Sequence, residues 1–476
     1  MSGRILVIQL AKLGDFIQST PLLSEIRRLN PGSTLVLAGE QPAVLEAARL
    51  SPLVDEVVTI AGEDASGGPF DRVFVLNSHA RAAGLAARAQ AGQVFGPGLD
   101  GGRLVFTPAQ QWLLALMRAG RELGRLNLVD VWLSLIPGAR PTPLVWPPAG
   151  FGLESRWGDS SVSTRLSRWN ITSTTTALCP SGTPPGLKLG IQLGSRNHLR
   201  RWPVEHFAGL AARLSRMRPG LSPVLLGSAE ERALGLKFEK LLRDQAPEVT
   251  VHNLMGRTDL QSLGAAAAGL DLLITADTGV MHLAAAVGVP VLALFFGPAY
   301  GPETGPYGPG HLIYQALAPC APCREGADCR LRQCREMPEP EIAARLAASL
   351  LAGTLQGDAE IGSLLPPGHK VWRTGRDTFG QCLTPVGRPP LTPNEALALL
   401  LTEAGRKVLR PDYHFEAEAL KSLLQAYDSG PEAVKIDRAA ITTLAGAGFP
   451  SDPRAGQSFL ADTERLAASV GLEFAS

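Results

Sequence analysis

The feature that most restricts how this chain can fold is a recurring unit: a short apolar run ends in a turn rich in glycine or hydroxyls and passes into a helical segment. Arg4-Ile5-Leu6-Val7-Ile8-Gln9-Leu10 leads into Ala11-Lys12-Leu13-Gly14-Asp15, and residues 187–193 lead into Gly194-Ser195-Arg196. Leu272-Leu273-Ile274-Thr275 leads into Ala276-Asp277-Thr278-Gly279-Val280-Met281-His282 and a stretch of alanines. Runs this short and continuous suit strands of a parallel sheet covered by helices on both faces. The chain therefore reads as α/β, and because the unit starts afresh at residue 187, as two doubly wound, Rossmann-like domains. Solenoid-type repetition is absent.

At 476 residues the chain exceeds one ordinary core. Hydrophobic residues make up 45% and charged residues 19%, the balance of a globular protein. A formal net charge of +1 gives no field that would gather nucleic acid, so no nucleic-acid partner is expected. The first apolar run is too short for a signal peptide, and the longest, 283–296, is interrupted by Gly288 and Pro290. A cytoplasmic protein is expected. No G-x-G-x-x-G follows the first strand, which argues against a dinucleotide dehydrogenase in this half.

Between residues 141 and 187 the composition turns to proline, serine and threonine, which is linker chemistry. The expected domains are 1–165 and 187–355, with a linker at 166–186 and a helical extension at 356–476. In that extension Thr392-Pro393-Asn394-Glu395 has the spacing of a capping box, and residues 415–427 and 458–470 read as amphipathic helices.

Open α/β sheets bind ligands beyond the carboxyl ends of their strands, so the chemistry should lie in the turns just named. A strand that ends in Asp277-Thr278-Gly279 and enters a helix aims free N–H groups and the positive end of the helix dipole at one point, which suits a phosphate. Gly279 permits close backbone approach, Thr278 offers a hydroxyl, and His282 is expected to face the same space. Gly194, Ser195 and Arg200 would add donors and positive charge, with Arg196 or Arg201 as substitutes. Arg201 could equally stack on Trp202. Glu230 or Glu231, after Gly227-Ser228, could hold a ribose or base. Asp15 is placed either to act as a general base or simply to cap the helix that it begins, with Lys12 and Gly14 on the same turn.

The ordered set Leu13-Gly14-Asp15…Thr20-Pro21, Gly194-Ser195…Arg201-Trp202-Pro203, Asn253-Leu254-x-Gly256 and Asp277-Thr278-Gly279-x-x-His282 resembles glycosyltransferase family 9, the lipopolysaccharide heptosyltransferases, over roughly residues 1–350. Gly96-Pro97-Gly98, Asn127 and Asp130 match the same family less sharply. The resemblance implies a GT-B fold, in which two Rossmann-like domains face a cleft. It also implies an inverting transfer of heptose from a nucleotide sugar, ADP-heptose, with Asp15 as base and no catalytic metal. The implied acceptor is a hydroxyl of lipopolysaccharide core or another surface glycan. The alternatives are a protein such as flagellin or an autotransporter, a non-catalytic nucleotide-sugar binding protein, and an epimerase or phosphorylase of the same architecture. A lipid-linked acceptor would suit peripheral contact with the inner membrane. Arg200 stands where the family often has lysine; it keeps the charge and changes the geometry.

Cys320-x-x-Cys323-x5-Cys329-x4-Cys334 is compact enough for one tetrahedral site. Similar clusters occur in relatives, including autotransporter heptosyltransferases that carry a structural iron. Zinc, iron and two local disulfides all remain open.

Overall fold

The computed structural model describes residues 3–60, 68–119, 121–146, 186–323, 328–353, 358–414, 417–428, 434–449 and 453–474. The chain divides into two compact units, Met1–Thr142 with Arg376–Ser476, and Pro143–Gly375. The linker expected at 166–186 falls, apart from its last residue, outside the described residues.

The first unit opens with β1 (Arg4–Ile8), α1 (Leu13–Leu29), β2 (Thr34–Gly39), α2 (Pro42–Leu50), β3 (Glu56–Thr59), β4 (Phe70–Val75), α3 (Ala80–Arg88) and β5 (Ala91–Phe95). These strands form a parallel sheet in the order β3-β2-β1-β4-β5. Leu6, Ile8, Val36, Val73 and Val75 are buried with Leu85 of α3, which explains why the strand sequences are continuously apolar. Helix α1 runs unbroken through Pro21, where the sequence suggests a bend or a restart. Proline cannot donate to the carbonyl four residues back, that of Ile17, but the Thr20 hydroxyl donates to it at 2.6 Å.

A hairpin of β6 (Gly98–Asp100) and β7 (Arg103–Val105), then α4 (Pro108–Ala119) and α5 (Leu128–Leu133), complete the amino-terminal part of this unit. The carboxyl-terminal part brings β15 (Gln381–Pro385), α14 (Pro393–Leu409), α15 (Ala417–Leu424), β16 (Lys435–Ile436), α16 (Arg438–Gly448), α17 (Pro453–Ser469) and β17 (Glu473–Phe474). The N-cap bond of the expected box is formed: the Thr392 hydroxyl accepts from the Glu395 N–H at 3.2 Å, and the Glu395 carboxylate accepts from the Tyr427 hydroxyl at 3.1 Å. These helices do not stand apart as a separate module. Trp112 of α4 is fully buried among Leu400, Leu401, Ile441, Leu444 and Phe459, its ring 4.3 Å from that of Phe459. Gly448 lies against it so closely that a Cβ there would meet the indole at 2.7 Å.

The second unit contains β8 (Lys188–Gln192), α6 (Val204–Met217), β9 (Ser222–Leu226), α7 (Arg232–Gln245), β10 (His252–Asn253), α8 (Leu260–Ala268), β11 (Leu272–Ala276), α9 (Gly279–Ala286) and β12 (Val291–Phe295). After them come α10 (Gly301–Thr304), β13 (Leu312–Ala316), α11 (Gln333–Glu336), α12 (Pro340–Ala352), α13 (Asp358–Leu364) and β14 (His369–Arg376). Its sheet runs β10-β9-β8-β11-β12-β13 in parallel, with β14 antiparallel against β13. The stretch read from sequence as purely helical therefore contributes strands β14 and β15. No helix among the described residues is long and apolar enough to cross a membrane.

Candidate functional site

In both units the strand order reverses beside the first strand, between β1 and β4 in one and between β8 and β11 in the other. At such a switch point neighbouring connections leave on opposite faces, and a crevice opens beyond the strand ends. Gly194-Ser195 follows β8 and Asp277-Thr278 follows β11, and these strands pair directly, Gln192 opposite Thr275. The two turns therefore flank one crevice.

Across it the Arg200 guanidinium donates to the Asp277 carboxylate at 2.6 Å, with the Asp277 side chain only 10% exposed. Thr278 is the N-cap residue of α9, yet its side chain makes no capping hydrogen bond. Its hydroxyl instead lies 3.1 Å from that of Thr275. A helix start without a side-chain cap, next to a guanidinium, has the makeup of an anion site. His282, one turn into α9, is 3% exposed, and its Nδ1 has no hydrogen-bond partner among the described residues. Burial holds its pKa down at about 3, so the ring is neutral.

Of the two glutamates proposed for this crevice, Glu230 is exposed and its pKa is lowered by a hydrogen bond from Ser228. Glu231 points inward. Its carboxylate accepts from the Ser228 N–H at 2.9 Å and from the buried Gln192 amide at 3.2 Å, and it lies so close to Gly194 that a Cβ there would overlap it. Glycine at 194 makes room for that carboxylate. Arg201 donates to the Ser195 carbonyl at 2.6 Å, while the buried Trp202 ring faces His206 and Phe207. Arg196 is exposed. Met255-Gly256 closes the turn after β10, where Gly256 takes a φ of +66° and its carbonyl accepts from Arg232 at 2.8 Å.

In the first unit, Asp15 lies in the first turn of α1 and its carboxylate accepts from the Lys12 N–H at 3.1 Å. It is half-buried, and Gly14 precedes it in the same turn. Sequence reasoning missed what holds this turn. Gln9, fully buried just past the end of β1, accepts from the Ala11 N–H at 3.2 Å and from the Asn77 amide at 2.9 Å. Asn77, beyond β4, accepts from the Leu10 N–H at 2.6 Å. Asp130 accepts from the Gln381 N–H at 3.0 Å, so it anchors the returning chain.

The four clustered cysteines are free thiols. Among the described residues no group of three or more His, Cys, Asp or Glu side chains is placed to hold a metal ion. Cys320 is exposed, whereas Cys334 is buried and its sulfur accepts from the Gly297 N–H at 3.2 Å. Burial and the neighbouring sulfurs push the Cys323 and Cys334 thiols upward, which favours their neutral form.

The model of glycosyltransferase family 9 (heptosyltransferase) matches residues 67–333, more than half of the chain. The chain belongs to this family. The matched span contains the whole crevice of the second unit and stops short of Lys12, Gly14 and Asp15. Among curated relatives, lipooligosaccharide heptosyltransferase 2 of Haemophilus influenzae is 36% identical over 110 residues, 23% of this chain and 30% of that protein. Lipopolysaccharide heptosyltransferase 2 of Salmonella typhimurium is 30% identical over 169 residues, 36% of this chain and 42% of that protein. The chain thus spans less than half the length of these relatives. Of solved structures, the glycosyl transferase family 9 protein of Veillonella parvula aligns with a TM-score of 0.52 at 20% identity, covering 74% of this chain and 99% of that one. The Escherichia coli ADP-heptose lps heptosyltransferase II gives 0.51 at 21% identity, with the same coverage. At these identities the likeness is one of fold, and the fold of this family 9 chain is GT-B.

Proposed function

We propose that the protein is an inverting glycosyltransferase that moves a heptose from ADP-heptose onto a hydroxyl of lipopolysaccharide core or another surface glycan, working in the cytoplasm. The observation that carries this reading is the Arg200–Asp277 pair at the uncapped start of α9, at the β8/β11 switch point and inside the family-matched span.

As the bond from the sugar to the diphosphate breaks, negative charge grows on the leaving oxygen. In this reading the N–H groups at the start of α9, the Ser195 and Thr278 hydroxyls and Arg200 take up that charge. Asp277 holds the guanidinium in place before the donor arrives. His282, neutral because it is buried, contributes a hydrogen bond rather than a charge. Gly194 and Glu231 shape the wall on which the nucleoside rests. Asp15 takes the proton from the acceptor hydroxyl as its oxygen bonds to the anomeric carbon, and ADP departs from the opposite face.

The test is incubation with ADP-heptose and a core oligosaccharide, with release of ADP and the configuration of the new linkage as readouts. ADP release that depends on acceptor, with inverted configuration, supports the reading. Donor binding without transfer to any glycan, or retained configuration, rejects it.

A further inference from the structure

Past Ile8 and Val75, the last paired residues of β1 and β4, the chain that leads to Asp15 is held by side-chain amides. Three successive N–H groups meet three side chains: Leu10 donates to Oδ1 of Asn77 at 2.6 Å, Ala11 to Oε1 of Gln9 at 3.2 Å, and Lys12 to the Asp15 carboxylate at 3.1 Å. The two amides are joined, since Nδ2 of Asn77 donates to Oε1 of Gln9 at 2.9 Å, and Nε2 of Gln9 donates to the Asp15 carbonyl at 3.4 Å. Neither amide can turn over without setting donor against donor and oxygen against oxygen. Asn77 is anchored in its turn. Leu76, just before it, donates to the Ile8 carbonyl at 3.2 Å and accepts from the Trp132 indole at 3.2 Å, while the Asn77 carbonyl accepts from the His79 N–H at 3.0 Å.

We propose that Asn77 is a positioning residue for sugar transfer, acting through Gln9 and Leu10 on the turn that presents Asp15; this rests on the reading of Asp15 as the base. A carboxamide does not titrate, so Asn77 acts through that carboxylate and does not replace it. The sheet does not depend on this contact, because β1 and β4 pair from Ile5 opposite Arg72 to Ile8 opposite Val75 over a continuous apolar core. What Asn77 fixes is the exit from the sheet. A base must come within about 2.6–3.2 Å of the oxygen it deprotonates, and a displacement of about 1 Å costs about a hundredfold in rate. Without Asn77, the Leu10 N–H loses its acceptor and Gln9 loses the donor that orients it.

The test is a double-mutant cycle in the full-length protein, read by single-turnover transfer from saturating ADP-heptose to a core oligosaccharide. Asn77→Ala should slow transfer by about 10- to 100-fold. Affinity for ADP-heptose, measured by titration calorimetry, should stay unchanged, because the donor crevice belongs to the second unit. On the Asp15→Asn background the same substitution should change the residual rate by less than about twofold, since residues that act as one unit are not additive. Asn77→Asp is the second variant, close in shape; it keeps an acceptor for Leu10 and loses the donor to Gln9, so transfer should again be slowed with donor affinity retained. Native-rate transfer by folded Asn77→Ala and Asn77→Asp proteins would overturn this inference alone, as would an equal loss on the native and Asp15→Asn backgrounds, or a loss confined to ADP-heptose affinity. Native-rate transfer by Asp15→Asn itself would overturn the base assignment and this inference with it.

Discussion

Gly194→Ala is the sharpest test of how the donor-side crevice is built. An added Cβ would sit 1.6 Å from Oε1 of Glu231, 2.1 Å from its Cδ and 2.8 Å from its Cγ, so the carboxylate must leave. It would abandon the Ser228 N–H at 2.9 Å and the Gln192 amide at 3.2 Å. Loss of a helix-start cap costs about 1 kcal/mol. Gln192, only 4% exposed, would keep its long bond to the Gly194 carbonyl at 3.4 Å, and leaving its other N–H unsatisfied costs about 1–3 kcal/mol. Gly194→Ala should therefore destabilise the second unit by about 2–4 kcal/mol, and Glu231→Ala by a similar amount because it breaks the same two bonds. With Glu231 already removed the new methyl has room, so the double variant should be no less stable than either single one. The expected coupling is about 2 kcal/mol or more. Differential scanning calorimetry of the full chain measures this from the transition of the second unit. If Gly194→Ala costs as much on the Glu231→Ala background as on the native one, the overlap is not the cause and Glu231 does not form this wall.

Other outcomes follow from the same geometry. Arg200→Ala should weaken ADP-heptose binding by about 10- to 100-fold in titration calorimetry, as expected when one charge-assisted contact to a diphosphate is lost, with Arg200→Lys intermediate. Unchanged affinity in the alanine variant would remove Arg200 from the site. His282 has a folded pKa of about 3 against 6.5 when unfolded, so the unfolded chain takes up the proton first. Its stabilising contribution is complete above pH 6.5 and falls as pH drops towards 3, by at most about 1.4 kcal/mol per pH unit. Melting temperatures between pH 7 and 5 should therefore fall more steeply for the native protein than for His282→Gln, and parallel curves would mean the imidazole is not buried neutral. Cys320 should be alkylated first and Cys334 last. One zinc or iron per chain, with all four thiols shielded, would instead mark the cluster as a metal site.

The alternation of strands and helices was legible because both sheets are covered on two faces, which forces runs such as Ile5–Ile8 and Leu272–Thr275 to be apolar throughout. Capping chemistry was legible too, since the bond between Thr392 and Glu395 spans one turn. Contacts distant in sequence were not. Gln9 meets Asn77 across 68 positions and Asp130 meets Gln381 across 251, and neither leaves a local pattern. The inward turn of Glu231 was legible as well: Ser228-x-x-Glu231 has the spacing of a capping box, which turns Glu231 inward and leaves Glu230 in water. Strand β14 was hidden because His369–Arg376 mixes polar and apolar residues on a strand that meets its parallel-sheet neighbour, β13, in the antiparallel sense.

The Lys12 N–H bond to Asp15 shows that this carboxylate caps a helix, whatever else it does. Asp15→Asn separates the two roles, because an asparagine oxygen keeps the cap and cannot accept the proton. The most direct measurement is single-turnover transfer by this variant, with ADP-heptose affinity and melting temperature determined on the same sample. If Asp15 is the base, affinity and stability stay unchanged while the rate falls by about 10²- to 10⁴-fold. Transfer at the native rate would contradict that role and leave Asp15 as a helix cap alone.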